Sequence, residues 1–383
     1  MRKMKILFTG GGTGGHIYPI IAIKKELENI PSKNLLSFFY IGPKDKFIKN
    51  LFLKENIKNK TILAGKIRRY VSLKSVLQNF VDILIKTPIG FFQAFWHIFF
   101  LAPDIIFSKG GYGSFPVVVS GWILRVPIFL HESDAIAGTV NRISAKFALE
   151  IFVSFPIKKI KGFSRKKIIS VGNPIKSEIL NEFAIKNKQD AMKELKITGE
   201  KSVILILGGS QGAQRINNKI LEILPEFLKD FEIIHQTGTK NFEQTQAEAK
   251  MIISKELERY YHIFPFLNEK DLINAYISSD LIISRAGAGT IFEIAFMAKP
   301  SILIPLPKSA QNHQIKNSYV YANTGASIVI EESNFTPHFF LEKLKYLFSN
   351  PKKIEIMSAK AKEFSKPKAS NIIAQYLIEY LDQ

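Results

Sequence analysis

Short apolar runs of the kind that form buried parallel strands alternate with helical segments along most of the chain. In the first half these runs lie at 5–10, 35–42, 103–111, 126–133 and 151–155. After residue 200 the pattern begins again, at 202–212, 231–238, 261–267, 280–289 and 300–307. Helical segments such as 20–28 and 214–228 lie between them. Strands that alternate with helices predict βαβ units and doubly wound α/β sheets.

The same local pattern occurs twice. A strand, two glycines, a loop and a helix span 6–20 and again 204–221, and each copy opens its own series of strands. We therefore predict two Rossmann-like parallel-sheet domains that face one another, as the length of 383 residues allows. Gly172 and Pro174 interrupt the chain near the expected boundary, which gives domains at 1–172 and 173–365. We expect the helical stretch at 366–383 to pack back on the first domain.

The first glycine loop, "GGGTGGH" at 10–16, resembles three loop types. A Walker A loop ends in Gly-Lys-Ser/Thr, and the lysine is missing here. A dinucleotide fingerprint fits Gly10, Gly12 and Gly15, but the next strand has no acid at its tip to bind a ribose. The third type turns its amides and a helix N-terminus toward a diphosphate or a sugar.

His16 follows this loop at the start of a helix. A lone histidine is more often structural than catalytic. The positive end of a helix disfavours the protonated ring, so we expect a neutral imidazole that can accept a proton. His16 is therefore our candidate for a catalytic or acceptor-binding role.

The second half contains two further loops that suit phosphate. Ser210 lies in "GGSQGA" (208–213), and small residues open the helix in "SRAGAGTIFE" (284–293). Glu293, one turn into that helix, suits the two hydroxyls of a ribose, although it could instead form a capping box with Thr290. The amide-rich loop at 305–317 could bind sugar hydroxyls or be an ordinary surface loop.

The charge of the chain is uneven. The net charge is +20, and residues 1–180 contain 28 Lys and Arg against 10 Asp and Glu. A basic half indicates an anionic partner. No RNP motif, zinc finger or helix-turn-helix pattern is recognisable, so we favour an anionic membrane surface over nucleic acid. The absence of cysteine excludes disulfides and fits a reducing cytosol. We expect no signal peptide, because the first residues lack an apolar h-region and a small-residue cleavage site.

Two segments are candidates for membrane contact. Six aromatic residues of 90–102 share one helix face: Phe91, Phe92, Phe95, Trp96, Phe99 and Phe100. We expect a core helix there, too short and interrupted to span a bilayer. The upstream segment 66–86 mixes Arg68, Arg69, Lys74 and Lys86 with apolar residues, which suits a helix that lies in an anionic interface.

Six motifs in order, "GGTGGHIYP", "GGYGSFP", "HESDAIAGTVNR", "VGNP", "GGSQGA" and "RAGAGTIFEIA", together resemble the MurG family. These are membrane-associated N-acetylglucosaminyltransferases of peptidoglycan synthesis. The resemblance implies a GT-B fold, with two Rossmann-like domains across a cleft. It also implies inverting transfer of GlcNAc from UDP-GlcNAc to the 4-hydroxyl of MurNAc in undecaprenyl-diphosphate-linked lipid I, which gives lipid II.

The resemblance implies no cofactor and no bound metal. It places the protein peripherally on the cytoplasmic face of the bacterial cell membrane, in cell-wall biogenesis, cell shape and division. Other cell-wall synthesis and division proteins are further expected partners, and nucleic acid is not expected.

The resemblance also assigns residues to the site. His16 is implied as the base, Glu293 as the ribose ligand and Gln314 as a sugar ligand. The implied substrate-binding residues are Thr13, Gly14, Gly15, Asn141, Lys176, Ser210, Leu267 (through its backbone), Ala288, Gly289, Thr290, Ile291, Phe292, Glu293 and Gln314.

The chain departs from the family at three places. Ser133 and Asp134 stand where Gln-Asn is usual, which makes Asp134 a second candidate base. Lys176 replaces an arginine and keeps its charge without the bidentate geometry. In the donor loop "QNHQ" (311–314), Gln314 alone matches.

Three other functions fit parts of the pattern. A glycosyltransferase with another lipid or sugar acceptor would share the fold, and so would a UDP-GlcNAc 2-epimerase, which needs no acceptor. A basic nucleic-acid-binding module is the non-enzyme alternative, and the glycine loops argue against it.

Overall fold

A computed structural model describes residues 3–11, 14–65, 73–156, 160–208, 213–307 and 309–383. The chain divides into two compact units, one formed by 1–176 with 367–383 and the other by 177–366. Each unit contains one parallel sheet within the described ranges. The predicted α/β class with two doubly wound sheets is therefore confirmed.

The sheet of the first unit has seven strands among the residues described. They are β1 (Lys3–Thr9), β2 (Leu35–Pro43), β3 (Lys58–Ile62), β4 (Ile105–Ser108), β5 (Ile128–Glu132), β6 (Glu150–Val153) and β7 (Ile168–Ser170). Their order is β3-β2-β1-β4-β5-β6-β7, and the paired strands are parallel. Strand order reverses between β1 and β4. In such sheets a ligand site is expected beyond the carboxyl ends of the strands at this switch point.

The first six helices belong to this unit. They are α1 (Gly14–Asn29), α2 (Lys46–Lys54), α3 (Leu73–Val81), α4 (Thr87–Leu101), α5 (Phe115–Ile123) and α6 (Thr139–Ser144). Alternate strand residues point to opposite faces of the sheet, and helices cover both faces. Ile6 and Phe8 belong to one core with Ile20 and Ile23 of α1, whereas Leu7 belongs to a second core with Ala94 and Ile98 of α4 and Val117 of α5.

The second unit repeats this arrangement with six strands in the described ranges. They are β8 (Ser202–Leu207), β9 (Phe231–Gln236), β10 (Tyr261–Phe264), β11 (Leu281–Ser284), β12 (Ser301–Leu303) and β13 (Ser327–Val329). Their order is β10-β9-β8-β11-β12-β13, again with parallel pairs. The switch point lies between β8 and β11, which are the strands before the two glycine loops.

Ten helices surround this sheet within the described residues. They are α7 (Ser177–Ile185), α8 (Lys188–Glu194), α9 (Gln214–Asp230), α10 (Phe242–Ile252), α11 (Lys255–Glu258), α12 (Glu269–Ser278), α13 (Ala288–Phe296), α14 (His313–Ala322), α15 (Pro337–Phe348) and α16 (Pro351–Phe364). The next helix, α17 (Ala369–Leu381), returns to the first unit and packs on α1. Its Tyr376 and Tyr380 rings contact Phe129 of β5 edge-on.

A π-helical turn, Asp82–Lys86, joins α3 and α4 into one rod. Within the described residues, Leu77–Leu101 is long and apolar enough to cross a membrane by length and composition alone. The prediction that this region is too short and interrupted is therefore wrong. The two candidate segments are parts of one helical stretch, although 66–72, with Arg68 and Arg69, lies outside the described residues.

The prediction that 90–102 is a core helix is confirmed for Ala94 and Ile98, which belong to the core, and is wrong for the aromatic side chains. Phe92, Trp96 and Phe99 are 61%, 54% and 54% exposed, and Phe100 is 77% exposed. The buried residues of α4 are instead Gly90, Ala94 and Ile98. The helix packs on the protein through this narrow stripe, so most of its aromatic face stays uncovered.

We expect Gly90→Ala to destabilise the first unit. A Cβ at this buried position would overlap the carbonyl oxygen of Leu63, so the backbone at Leu63 must move. Overpacking of this kind costs about 1–3 kcal/mol, measured as the free energy of unfolding in urea. Gly15→Ala is the matched control for stability alone, because a Cβ there meets nothing within 4 Å. Equal stability of the two variants would contradict the prediction.

Candidate active site

Two glycine loops meet at the switch point of the first unit. One follows β1 and the other follows β4. Gly111 has φ +86°, and a Cβ on it would lie 2.8 Å from the Cα of Gly11. Because this approach is backbone to backbone and the φ angle is left-handed, only glycine fits at Gly111 without a shift. The backbone of the two loops therefore lies close together at the carboxyl edge of the sheet, and we call Gly11 and Gly111 the glycine wall.

His16 lies against this wall in the first turn of α1. A Cβ on Gly11 would lie 3.2 Å from its Nδ1 atom, and a Cβ on Gly111 would lie 3.3 Å from its Nε2 atom. The ring is half-buried. Gly14 and Gly15 begin the same helix, and Gly15 is exposed with open space around its Cα. Thr13 lies outside the described residues.

Glu132 braces the turn that follows β5. This carboxylate is buried and accepts hydrogen bonds from the backbone N–H groups of Asp134 (3.0 Å) and Gly138 (3.0 Å). Asn141 of α6 donates a third from Nδ2, at 2.9 Å. Burial raises the pKa of Glu132, and the nearby charge of Asp134 raises it further. The backbone that presents Asp134 is thus fixed from inside the protein.

Asn141 and Lys176 both lie near the strand ends. The amide of Asn141 also donates to the carbonyl of His131 (3.2 Å), and its buried Oδ1, which is without a hydrogen-bond partner among the described residues, faces Gly110. The ammonium of Lys176 lies 3.9 Å from the centre of the Tyr18 ring of α1. This cation–π contact holds Lys176 beside the first turns of that helix.

In the second unit, α13 begins beyond β11 with Gly287 as its N-cap. Thr290 is therefore the third helical residue and not the cap, so the capping-box interpretation of Glu293 is wrong. The Glu293 carboxylate instead accepts a hydrogen bond from the Tyr276 hydroxyl at 2.8 Å. Burial raises the pKa of Tyr276, which keeps it a donor. Gly289 at the helix start has open space around its Cα.

The remaining predicted residues of this unit also follow strand ends. Leu267, beyond β10, is buried, and its N–H donates to the Gln236 side chain at 3.0 Å. Gln314, in the first turn of α14, accepts at Oε1 from the N–H of Leu306 at 2.9 Å. Ile291 and Phe292 are buried in α13. Ser210 lies outside the described residues.

Two protein-family models match the chain, one over the residues of each sheet. Residues 6–153 match the glycosyltransferase family 28 N-terminal domain, and residues 203–373 match the glycosyltransferase family 28 C-terminal domain. The chain belongs to glycosyltransferase family 28. As a member of this family it is a glycosyltransferase.

Family 28 relatives cover almost the whole chain. A Bacillus cereus protein named UDP-N-acetylglucosamine–N-acetylmuramyl-(pentapeptide) pyrophosphoryl-undecaprenol N-acetylglucosamine transferase 2 is 35% identical over 98% of this chain and 99% of its own length. A Clostridium tetani protein of the same name, without the number, is 37% identical over 92% of both chains. The predicted membership of the MurG family is confirmed.

Solved structures show the same fold. MurG of Acinetobacter baumannii superposes with a TM-score of 0.72 at 24% identity and covers 98% of this chain and 99% of its own. A UDP-GlcNAc 2-epimerase of Neisseria meningitidis bound to UDP-GlcNAc has a TM-score of 0.68 at 16% identity, over 98% and 100%. These likenesses, with the two family 28 domains, confirm the GT-B fold class.

Three buried residues of this family 28 chain were not predicted as part of the site. They are Lys109, directly after β4, and His131 and Glu132, at the end of β5. The sequence did contain a signal for these three residues, because each is polar and lies at the carboxyl end of an otherwise apolar strand. Their contacts join different strands, and the sequence pattern does not specify such contacts.

Proposed function

We propose that this chain transfers GlcNAc from UDP-GlcNAc to the 4-hydroxyl of MurNAc in undecaprenyl-diphosphate-linked lipid I, and so forms lipid II. The observation that supports this most is the 35% identity with a transferase of that name over 98% of the chain. The protein then acts in peptidoglycan synthesis, and through it in cell-wall biogenesis, cell shape and division.

We assign donor binding to the second unit. The N–H groups at the start of α13 and the positive end of that helix suit the diphosphate, and they would stabilise the charge that develops on UDP as it departs. Glu293 is our ribose ligand, with Tyr276 as the donor that orients it. Gln314, Ser210 and the Leu267 backbone complete the proposed set, the last through its carbonyl oxygen because its N–H already donates to Gln236.

We assign the acceptor to the first unit. Inversion requires the acceptor oxygen to attack the anomeric carbon from the side opposite the diphosphate. His16 would take the proton from the 4-hydroxyl as the new glycosidic bond forms and the bond to UDP breaks. The glycine wall lies against the His16 ring. Asp134 is the second candidate for the base.

The test is transfer of radiolabelled GlcNAc from UDP-GlcNAc to a lipid I analogue by the purified chain. Labelled lipid II supports the proposal. Turnover with another lipid or sugar acceptor, and none with lipid I, would overturn the acceptor assignment. Conversion of UDP-GlcNAc to its 2-epimer without any acceptor would replace the transferase by an epimerase.

We expect Glu293→Ala to weaken donor binding. Loss of a carboxylate that bonds two ribose hydroxyls should raise the Kd of UDP-GlcNAc on the order of 10-fold to 100-fold, as hydrogen bonds to charged groups contribute about 1.5–3 kcal/mol. Calorimetry with UDP and with UDP-GlcNAc measures this. Tyr276→Phe is the matched control, because it removes only the 2.8 Å bond to Glu293 and should change Kd a few-fold. An unchanged Kd in Glu293→Ala would disprove the ribose assignment.

We also propose that the first unit binds peripherally to the anionic cytoplasmic face of the cell membrane through the α3–α4 rod. The exposed aromatic side chains of α4 supply apolar contact, and the basic first half of the chain supplies electrostatic attraction. The rod is attached along one side: Ser120 of α5 donates to the carbonyl of Phe91 at 3.2 Å, and the Gln93 side chain accepts from the N–H of Leu63 at 2.8 Å. These contacts favour a rod that lies in the interface over one that crosses the bilayer.

A further inference from the structure

Lys109 is a lysine that the fold buries at the switch point of the first unit. It is 2% exposed and follows β4 directly. Its ammonium contacts His131 Nδ1 and Ser133 Oγ, both at the end of β5. The side chain therefore joins the ends of two neighbouring strands, at the point where the proposed acceptor site lies.

The hydrogen bonds around Lys109 have one consistent set of directions. Ser133 Oγ donates to Asn173 Oδ1 at 3.0 Å, so it accepts from Lys109. Ser154 Oγ also donates to Asn173, at 3.3 Å, so it accepts from His131 Nε2, which lies 3.2 Å from the carbonyl of Gly172 as well. His131 is therefore protonated on Nε2 and accepts from Lys109 on Nδ1. Lys109 therefore donates to both neighbours.

Charge complementarity supports the same arrangement. The carboxyl groups of Glu132 and Asp134 both attract the ammonium, while burial lowers the pKa of Lys109. Burial, with the charge of Lys109, lowers the pKa of His131, which stays neutral. A buried charge is tolerated only when it is paired and hydrogen-bonded. The positive charge of Lys109 therefore offsets the negative charges of Glu132 and Asp134.

Lys109 is also connected to the other candidate base. It directly precedes Gly110 and Gly111 in the chain, and a Cβ on Gly111 would lie 2.8 Å from Gly11 Cα and 3.3 Å from His16 Nε2. Anchoring Lys109 on β5 therefore fixes the start of the glycine loop that supports His16. One buried cation holds the loop beside His16 and the turn that presents Asp134.

We propose that Lys109 is a positioning residue of the transferase site, which locks the glycine loop at 110–113 to the acidic turn at 131–134 so that His16 and Asp134 keep their places. This inference rests on the proposed function. Lys109 touches no reacting atom in it and acts through the loop and the turn.

The test compares wild type with Lys109→Met in GlcNAc transfer to a lipid I analogue. We expect kcat to fall on the order of 10-fold to 100-fold, because small displacements of reacting groups have effects of this size. The KM for UDP-GlcNAc should change less than about threefold, since the donor residues lie in the other unit. The acidic limb of the pH profile of kcat should shift to higher pH. The negative charges of Glu132 and Asp134 then repel each other without a nearby cation, because His131 is neutral.

Two further variants separate positioning from folding. In the double variant Lys109→Met/Asp134→Asn, kcat should fall by less than the product of the two single effects, because the second change removes the unbalanced charge. Lys24→Met is the matched control: Lys24 is also buried in this unit, where it pairs with Glu28 at 2.7 Å on α1. It should lower stability and leave kcat and the pH profile unchanged.

A Lys109→Met protein with reduced stability but wild-type kcat and pH profile would overturn the inference, as would fully multiplicative effects in the double variant. If Lys109→Met does not fold, Ser133→Ala decides. It removes one acceptor of the ammonium but keeps the cation, so it should lower kcat a few-fold with little change in the KM for UDP-GlcNAc, and an unchanged kcat would be contrary to the inference. Failure of the wild type to form lipid II concerns the proposed function instead.

Discussion

His16→Ala should lower the rate of lipid II formation on the order of 100-fold to 10,000-fold, the range typical for loss of a general base. The ring lies at the first turn of α1, against glycine backbone from two loops. A smaller side chain leaves the acceptor hydroxyl without a positioned group to take its proton. Donor affinity should stay at the wild-type value, because Glu293 and Gln314 belong to the other unit.

Single-turnover transfer with saturating UDP-GlcNAc measures this effect on chemistry, and calorimetry with UDP-GlcNAc checks the donor side. His338→Ala is the control, because His338 is exposed on α15. Melting of His16→Ala should stay close to wild type, since the half-buried ring leaves a gap that opens to solvent. Full turnover by His16→Ala would move the role of base to Asp134, and Asp134→Asn would then show the large loss.

Replacement of Phe92, Trp96, Phe99 and Phe100 by serine should lower the affinity for anionic vesicles at least on the order of 100-fold. Each ring is more than half exposed, and transfer of a Phe side chain from water to an apolar phase contributes about 1.5–3 kcal/mol. The fold should survive, because Gly90, Ala94 and Ile98 hold α4 on the protein. Activity on a short, water-soluble acceptor should therefore be retained.

Sedimentation with vesicles of phosphatidylglycerol and phosphatidylcholine measures this binding. Wild-type binding should weaken as salt is raised, because the basic first half contributes through the surface potential. The control replaces Phe339 and Tyr346 of α15, which are 57% and 52% exposed, and should bind like wild type. Equal binding to neutral vesicles, or an unaffected quadruple variant, would exclude this surface.

The strands that could be predicted from sequence are those that form mostly apolar runs. β4, β5, β8 and β11 are continuous apolar runs, and the structure contains a strand in each. β3 was missed because its sequence, KNKTI, is mostly polar at a sheet edge. β7 and β13 were missed because each has three residues and, unlike β12, does not lie in a longer apolar run. The π-helical turn was missed for a similar reason, since five residues do not distinguish it from α-helix.

Helix α4 shows a different limit of prediction from hydrophobic periodicity. Six rings on one helix face have the same spacing whether a sheet or a membrane covers them, so periodicity predicted the helix and could not predict what lies against it. The start of α13 after β11 was predicted, because a strand end and small residues mark it. Lys109 was missed because its partners, at the end of β5, lie more than twenty residues away, at His131 for example.

The return of α17 to the first unit affects the order in which the two units can fold during synthesis. Ile373, Leu377 and Leu381 close one side of the core that contains β1 and α1, yet they leave the ribosome after the whole of 177–366. The second unit is continuous and can complete its own core first. Until α17 emerges, the first unit exposes an unfinished apolar face together with the aromatic face of α4, so this is the stage of synthesis most exposed to aggregation.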